Sequence, residues 1–112
     1  MRNYLDIPLT LILLLILTAV LLWPLDQPYP GPEWGDKLAH LIAFAALVFP
    51  LARTGRFSLL SVLFGAITFG GIIELLQPNF NRNADIIDWI ADISGALLGG
   101  TFGLIFRHYR MH

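Results

Sequence analysis

The chain has 112 residues, of which 56% are hydrophobic and 13% charged, with a mean hydropathy of +0.69 and a formal net charge of −1. Soluble domains carry roughly 25% charged residues, so the composition excludes an ordinary soluble fold and indicates an integral membrane protein. The near-neutral charge, with no basic run or helix-turn-helix pattern, argues against a nucleic-acid partner; the absence of cysteine excludes disulfides, thiolate metal sites and a Cys nucleophile.

Residues 1–112 read as one domain, an all-α bundle of four transmembrane helices. Four apolar runs, at about 7–25, 34–52, 58–77 and 86–106, each approach the ~20 residues a helix needs to cross a bilayer. The first is longer than a signal-peptide core and no small-x-small site follows Trp23-Pro24, so an uncleaved anchor is expected. A Pro-rich segment from Asp26 separates it from the second run. The turn Arg53-Thr-Gly-Arg56 leads into the third, and the polar stretch Pro78-Asn-Phe-Asn-Arg82 into the fourth.

Arg2, Arg53, Arg56, Arg107 and Arg110 fall on one side of these runs and Lys37 and Arg82 on the other, which by the positive-inside rule puts both termini in the cytoplasm. Trp23, Trp34 and Trp89 then lie at the outer interface, where indole rings prefer to sit. Counting at ~1.5 Å per residue places Asp36, Lys37, His40, Glu74 and Asp92 within roughly 10 Å of the outer boundary.

Nearly every polar group of the spans belongs to this layer: Asp36, Lys37, His40, Glu74, Gln77, Arg82, Asp85, Asp88 and Asp92. Ionisable groups at membrane depth cost several kcal/mol (~3 or more) unless paired or hydrated, so they mark a candidate ligand-binding site. Asp36 and His40 are i,i+4, Glu74 and Gln77 i,i+3, and Asp85, Asp88 and Asp92 step by three and four, so each helix presents one polar stripe. The fourth stripe continues as Gly95, Gly99 and Gly103, a small-xxx-small seam, and the third as Gly70 and Ala66. The simplest packing joins these two glycine seams and faces the carboxylates above them into an outward cavity. The same glycines also suit a homo-oligomer.

Plainer readings stand beside these. Asp36 with Lys37, and Asp85, fit helix N-termini; Arg82 fits a solvated loop charge; His40 fits a structural His–carboxylate pair; the glycines fit helix packing alone. As catalytic candidates, Glu74 or Asp88 would be a general base and His40 an acid. There is no nucleophile elbow, HExxH motif or phosphate loop. His40, Glu74 and Asp88 are scattered over three spans without metal-ligand spacing, so neither a metal nor a cofactor is expected.

The run Asp36-Lys-Leu-Ala-His40, then Glu74-Leu-Leu-Gln77, then Arg82-Asn-Ala-Asp85-Ile-Ile-Asp88 continuing through Asp92 and Gly95 to Gly99, resembles the VanZ-like family of small bacterial membrane proteins. The likeness covers roughly the last two-thirds of the chain. It implies a multi-pass protein of the bacterial cytoplasmic membrane, with membrane lipids as partners, and a link to low-level resistance to the glycopeptide teicoplanin. Many members carry Asn at the position of Asp92 and Tyr near that of Phe44. The function expected is recognition of an envelope amphiphile, a lipid-linked cell-wall precursor or a lipoglycopeptide, with Arg82 and Lys37 holding phosphate or carboxylate and Gln77 and Asn83 holding sugar or amide. The alternative is an intramembrane hydrolase or transferase on a lipid-linked substrate. A third reading is a purely structural layer; a proton path is incomplete, because the cytoplasmic half of the spans lacks titratable groups.

Overall fold

The computed structural model describes residues 5–22, 33–80 and 86–111. They form four helices, α1 (Asp6–Leu22), α2 (Glu33–Thr54), α3 (Leu59–Leu76) and α4 (Ile86–Met111), with a 3-10 turn at Gln77–Phe80. The all-α bundle expected from the four apolar runs is the fold found. Parts of α2, α3 and α4 (Trp34–Thr54, Leu59–Leu76 and Ile86–Arg107) are long and apolar enough to cross a membrane, whereas α1 is a 17-residue apolar helix.

Local chemistry sets the helix ends. Ser58, in extended conformation, accepts a hydrogen bond from the Ser61 N–H and caps α3, satisfying one of the donors a helix start leaves open. Gly55 ends α2 at φ +70°, the left-handed geometry that only glycine adopts without strain, and its N–H bonds the Leu51 carbonyl at 3.2 Å.

α2 and α4 run in the same direction and form the closest pair. A Cβ on Gly95 would collide with the Leu41 carbonyl, one on Gly99 with the Ala45 carbonyl, and one on Gly103 would lie 2.5 Å from Ala52 Cβ. The fourth-helix seam therefore packs on α2 backbone and not, as expected, on the glycines of α3. The reason is that α2 offers small residues in matching register, Ala45 and Ala52. Gly70 instead makes room for side chains, since its missing Cβ would sit 3.0 Å from Asp92 Oδ2 and 3.3 Å from Trp89 Cδ1. Gly95, Gly99 and Gly103, which also suited a homo-oligomer, are buried against the chain's own α2.

The core lies where the four helices meet, around Phe44, Leu47, Val48, Ala66, Ile73 and Ala96, with Leu17 and Leu21 closing it from α1. Phe44 stacks against Phe69 at a ring separation of 5.8 Å. Outward faces are apolar too: Leu15, Leu60, Phe64 and Leu75 are each more than 70% exposed. Apolar surface on all sides of a small bundle suits a lipid environment rather than water.

Candidate functional site

Because α2 and α4 are parallel and start at the same end, their polar first turns meet there. His40, only 2% exposed, places Nδ1 2.8 Å from Asp92 Oδ1, and Asp92 itself is fully buried. Lys37 Nζ lies 2.9 Å from Asp88 Oδ1, while Asp88 Oδ2 is 3.8 Å from His40 Nε2. Asp36 completes the group: one donor atom from each of Asp36, His40 and Asp88 lies within 4.8 Å of the others. The i,i+4 spacings of His40 and Asp36 on α2, and of Asp92 and Asp88 on α4, allow this, since residues four apart share a helix face.

Five of the nine predicted residues are thus brought together, all from α2 and α4. Of the two from the third span, Gln77 makes its hydrogen bond away from this cluster. Gln77 is buried, and its Nε2 donates to the Leu21 carbonyl at 3.1 Å, tying the end of α3 to α1. A side chain expected to bind sugar or amide is thus engaged in holding two helices. Glu74 is also buried and lines, with Gly71, Ile86 and Trp89, a separate groove of about 530 Å³ between α3 and α4. The expectation was a cavity with facing carboxylates from α3 and α4; the network described joins α2 and α4. Arg82, Asn83 and Asp85 lie outside the described residues, as do Trp23 and Asp26.

The tryptophans divide. Trp34 is 69% exposed at the start of α2, as an interfacial ring would be. Trp89 is instead wedged between α3 and α4, against Gly70 and Gly71, with its indole N–H donated to the Ile67 carbonyl at 3.0 Å. Replacing it by Phe keeps the apolar body and removes that donor. Trp89→Phe is expected to destabilise the bundle by about 1 kcal/mol, read as a few degrees in detergent melting, without affecting ligand retention.

A second buried polar cluster at the opposite end of the bundle escaped sequence reasoning. Asp6, in the first turn of α1, is fully buried and accepts hydrogen bonds from Arg56 Nε at 2.8 Å, Arg56 Nη2 at 3.0 Å, Thr54 Oγ1 at 2.7 Å and its neighbour Ile7 N at 2.8 Å. The two Arg56 contacts make a bidentate pair, the strong form of this interaction. The paired guanidinium holds the Asp6 carboxyl down at about 2. The available signal was a lone acid opening an apolar run on the same side as the turn that carries Arg56. This cluster joins α1 to the α2–α3 turn and is a clasp, with its carboxylate saturated.

Chemically, the α2–α4 cluster can hold a cation between carboxylates, or present an ammonium and an imidazole to an anionic group. No protein-family model, curated protein or solved structure matches this chain.

Proposed function

We propose that this chain is a VanZ-like protein of the bacterial cytoplasmic membrane, with both termini in the cytoplasm, that binds the polar head of an envelope amphiphile at the outer leaflet. A lipid-linked cell-wall precursor or a lipoglycopeptide such as teicoplanin is the ligand class. The observation that carries the reading is the buried Lys37–Asp88–His40–Asp92 network inside two helices that are otherwise apolar. A network of charges in that setting is costly, and a simple packing seam like Gly95 to Gly103 would hold the same helices without it. Lys37, half-buried at the rim beside the exposed Trp34, supplies a cation for phosphate or carboxylate while the ring anchors at the headgroup level.

Native mass spectrometry of protein released from lipid nanodiscs tests this. Wild type is expected to retain a lipid-linked species that Lys37→Met and Asp88→Asn lose while melting within a few degrees of it. Bare masses for all three proteins would remove the reading.

The second reading, an intramembrane hydrolase or transferase, has one observation in its favour. His40 is oriented through Nδ1 by a buried carboxylate and keeps Nε2 toward Asp88, the arrangement that poises an imidazole for proton transfer. Turnover of a lipid-linked substrate that disappears in His40→Gln would put this reading ahead.

A further inference from the structure

The two ring nitrogens of His40 have different surroundings. The residue is 2% exposed, Nδ1 is occupied by Asp92, and Nε2 stands 3.8 Å from Asp88 Oδ2. Nε2 faces the Asp88 carboxylate across 3.8 Å, a gap that a shared partner between them would fill.

The distances say what kind. Asp88 Oδ2 at 3.8 Å is too far from Nε2 for a hydrogen bond. Two ligand atoms each about 2.1 Å from one ion stand roughly 3 to 4 Å apart, so the gap is that of donors sharing a metal. Asp36 brings the third donor within 4.8 Å of both. The other ring nitrogen faces the Asp92 carboxylate at 2.8 Å, as in metal sites where a carboxylate accepts the N–H of the ligating histidine, fixes its tautomer and makes the ring a better donor. Without Asp92 the ring would be free to present either nitrogen.

We infer that Asp36, His40 and Asp88 form a binding site for a single divalent transition-metal cation, with Asp92 as the residue that positions His40. One imidazole and two carboxylates make a borderline-to-hard donor set, suited to Zn²⁺ or Mn²⁺ and poor for soft Cu(I). Two carboxylates neutralise the divalent charge, and three protein ligands leave a coordination position for water or for an anionic oxygen. Lys37 sits on the other oxygen of Asp88 and competes for that carboxylate's charge. The site shares residues with the proposed headgroup pocket but does not depend on it, since the metal alone is the probe.

The chain has three histidines, and His108 and His112 near the end would also take up zinc, so the test uses untagged protein carrying His108→Gln and His112→Gln. Zn²⁺ is titrated by calorimetry and Co²⁺ by its visible absorption. The expected result is one ion per chain. Asp36→Asn, a near-isosteric change at a half-buried position, is expected to weaken Zn²⁺ at least about 10-fold and His40→Ala to abolish binding. Asp92→Asn keeps an acceptor for Nδ1 and is expected to weaken Zn²⁺ about 10-fold, the size of an outer-shell effect, whereas Lys37→Met tightens it.

Absence of stoichiometric Zn²⁺ and Co²⁺ uptake by the folded parent overturns the inference. So does uptake that is unchanged in Asp36→Asn and in His40→Ala. Loss of folding in His40→Ala leaves the decision to Asp36→Asn and to the Co²⁺ spectrum, where an imidazole ligand shifts the bands relative to an all-oxygen site. If zinc binds but no lipid-linked species is retained, the headgroup reading fails and the metal site stands; retention of the species by metal-free protein separates them the other way.

Discussion

Gly99→Leu is expected to abolish the folded bundle, whereas Gly65→Ala, the gain of a methyl on another membrane helix, is expected to leave it intact or slightly firmer. The difference lies in what the added atoms meet. At Gly99 a Cβ alone would overlap the Ala45 carbonyl and come within 2.8 Å of the Ala45 Cα, and both are backbone that no rotamer change can move. At Gly65 nothing lies within 4 Å. Overpacking a well-filled site costs about 1–3 kcal/mol when side chains can yield. Against backbone on a parallel seam repeated at Gly95 and Gly103 the cost exceeds that range, and the ~1 kcal/mol that leucine gains over glycine in helix propensity does not offset it. Separation of α2 from α4 would also pull His40 from Asp92, so loss of ligand or metal binding should accompany loss of stability. Size-exclusion profiles and detergent melting of Gly99→Leu, Gly99→Ala and Gly65→Ala decide the matter. A Gly99→Leu protein that melts like wild type would mean that α2 and α4 are not packed through this seam.

Arg56→Ala should have the second largest effect, and it should depend on pH. Among the described residues, removing the guanidinium leaves the buried Asp6 carboxylate with Thr54 Oγ1 and the Ile7 N–H. Breaking a fully buried ion pair costs about 3–5 kcal/mol; Arg56 is partly exposed, its side chain at 30%, so solvent screening lowers the expectation to about 2 kcal/mol. Asp6 titrates near 2 in the folded protein against an ordinary value of 3.8, so its contribution is complete above pH 4 and disappears as the pH falls through 2. Melting temperatures of wild type and Asp6→Asn should therefore differ at pH 5 and converge near pH 2. A constant difference across that window would show that the carboxylate's charge plays no part in the clasp.

Much of this architecture is legible along the chain because membrane helices must satisfy their backbone internally and present apolar residues to lipid, which writes each span into composition and length. The turn at Gly55, the cap at Ser58, and the polar stripes on the second and fourth runs follow from local spacing alone. For the same reason His40 with Asp36, and Asp88 with Asp92, were visible as faces before any contact was known. Asp6 was visible only as a boundary charge.

Pairing was not legible, because helix periodicity tells which residues share a face and nothing about which helix that face will meet. Gly70 and Gly95 present equally good small-residue seams. Only the packed bundle decides that Gly95, Gly99 and Gly103 receive the Leu41, Ala45 and Ala52 backbone while Gly70 receives the Asp92 and Trp89 side chains. That choice turns Trp89 from an interfacial ring into a wedge, assigns Gln77 to the Leu21 carbonyl, and joins Lys37 and His40 of α2 to Asp88 and Asp92 of α4. By itself the sequence determined the element types, the membrane character and the set of polar residues, all of which are local properties. The tertiary structure decided the partners, because backbone approach at sub-ångström tolerance depends on the shapes of both surfaces at once.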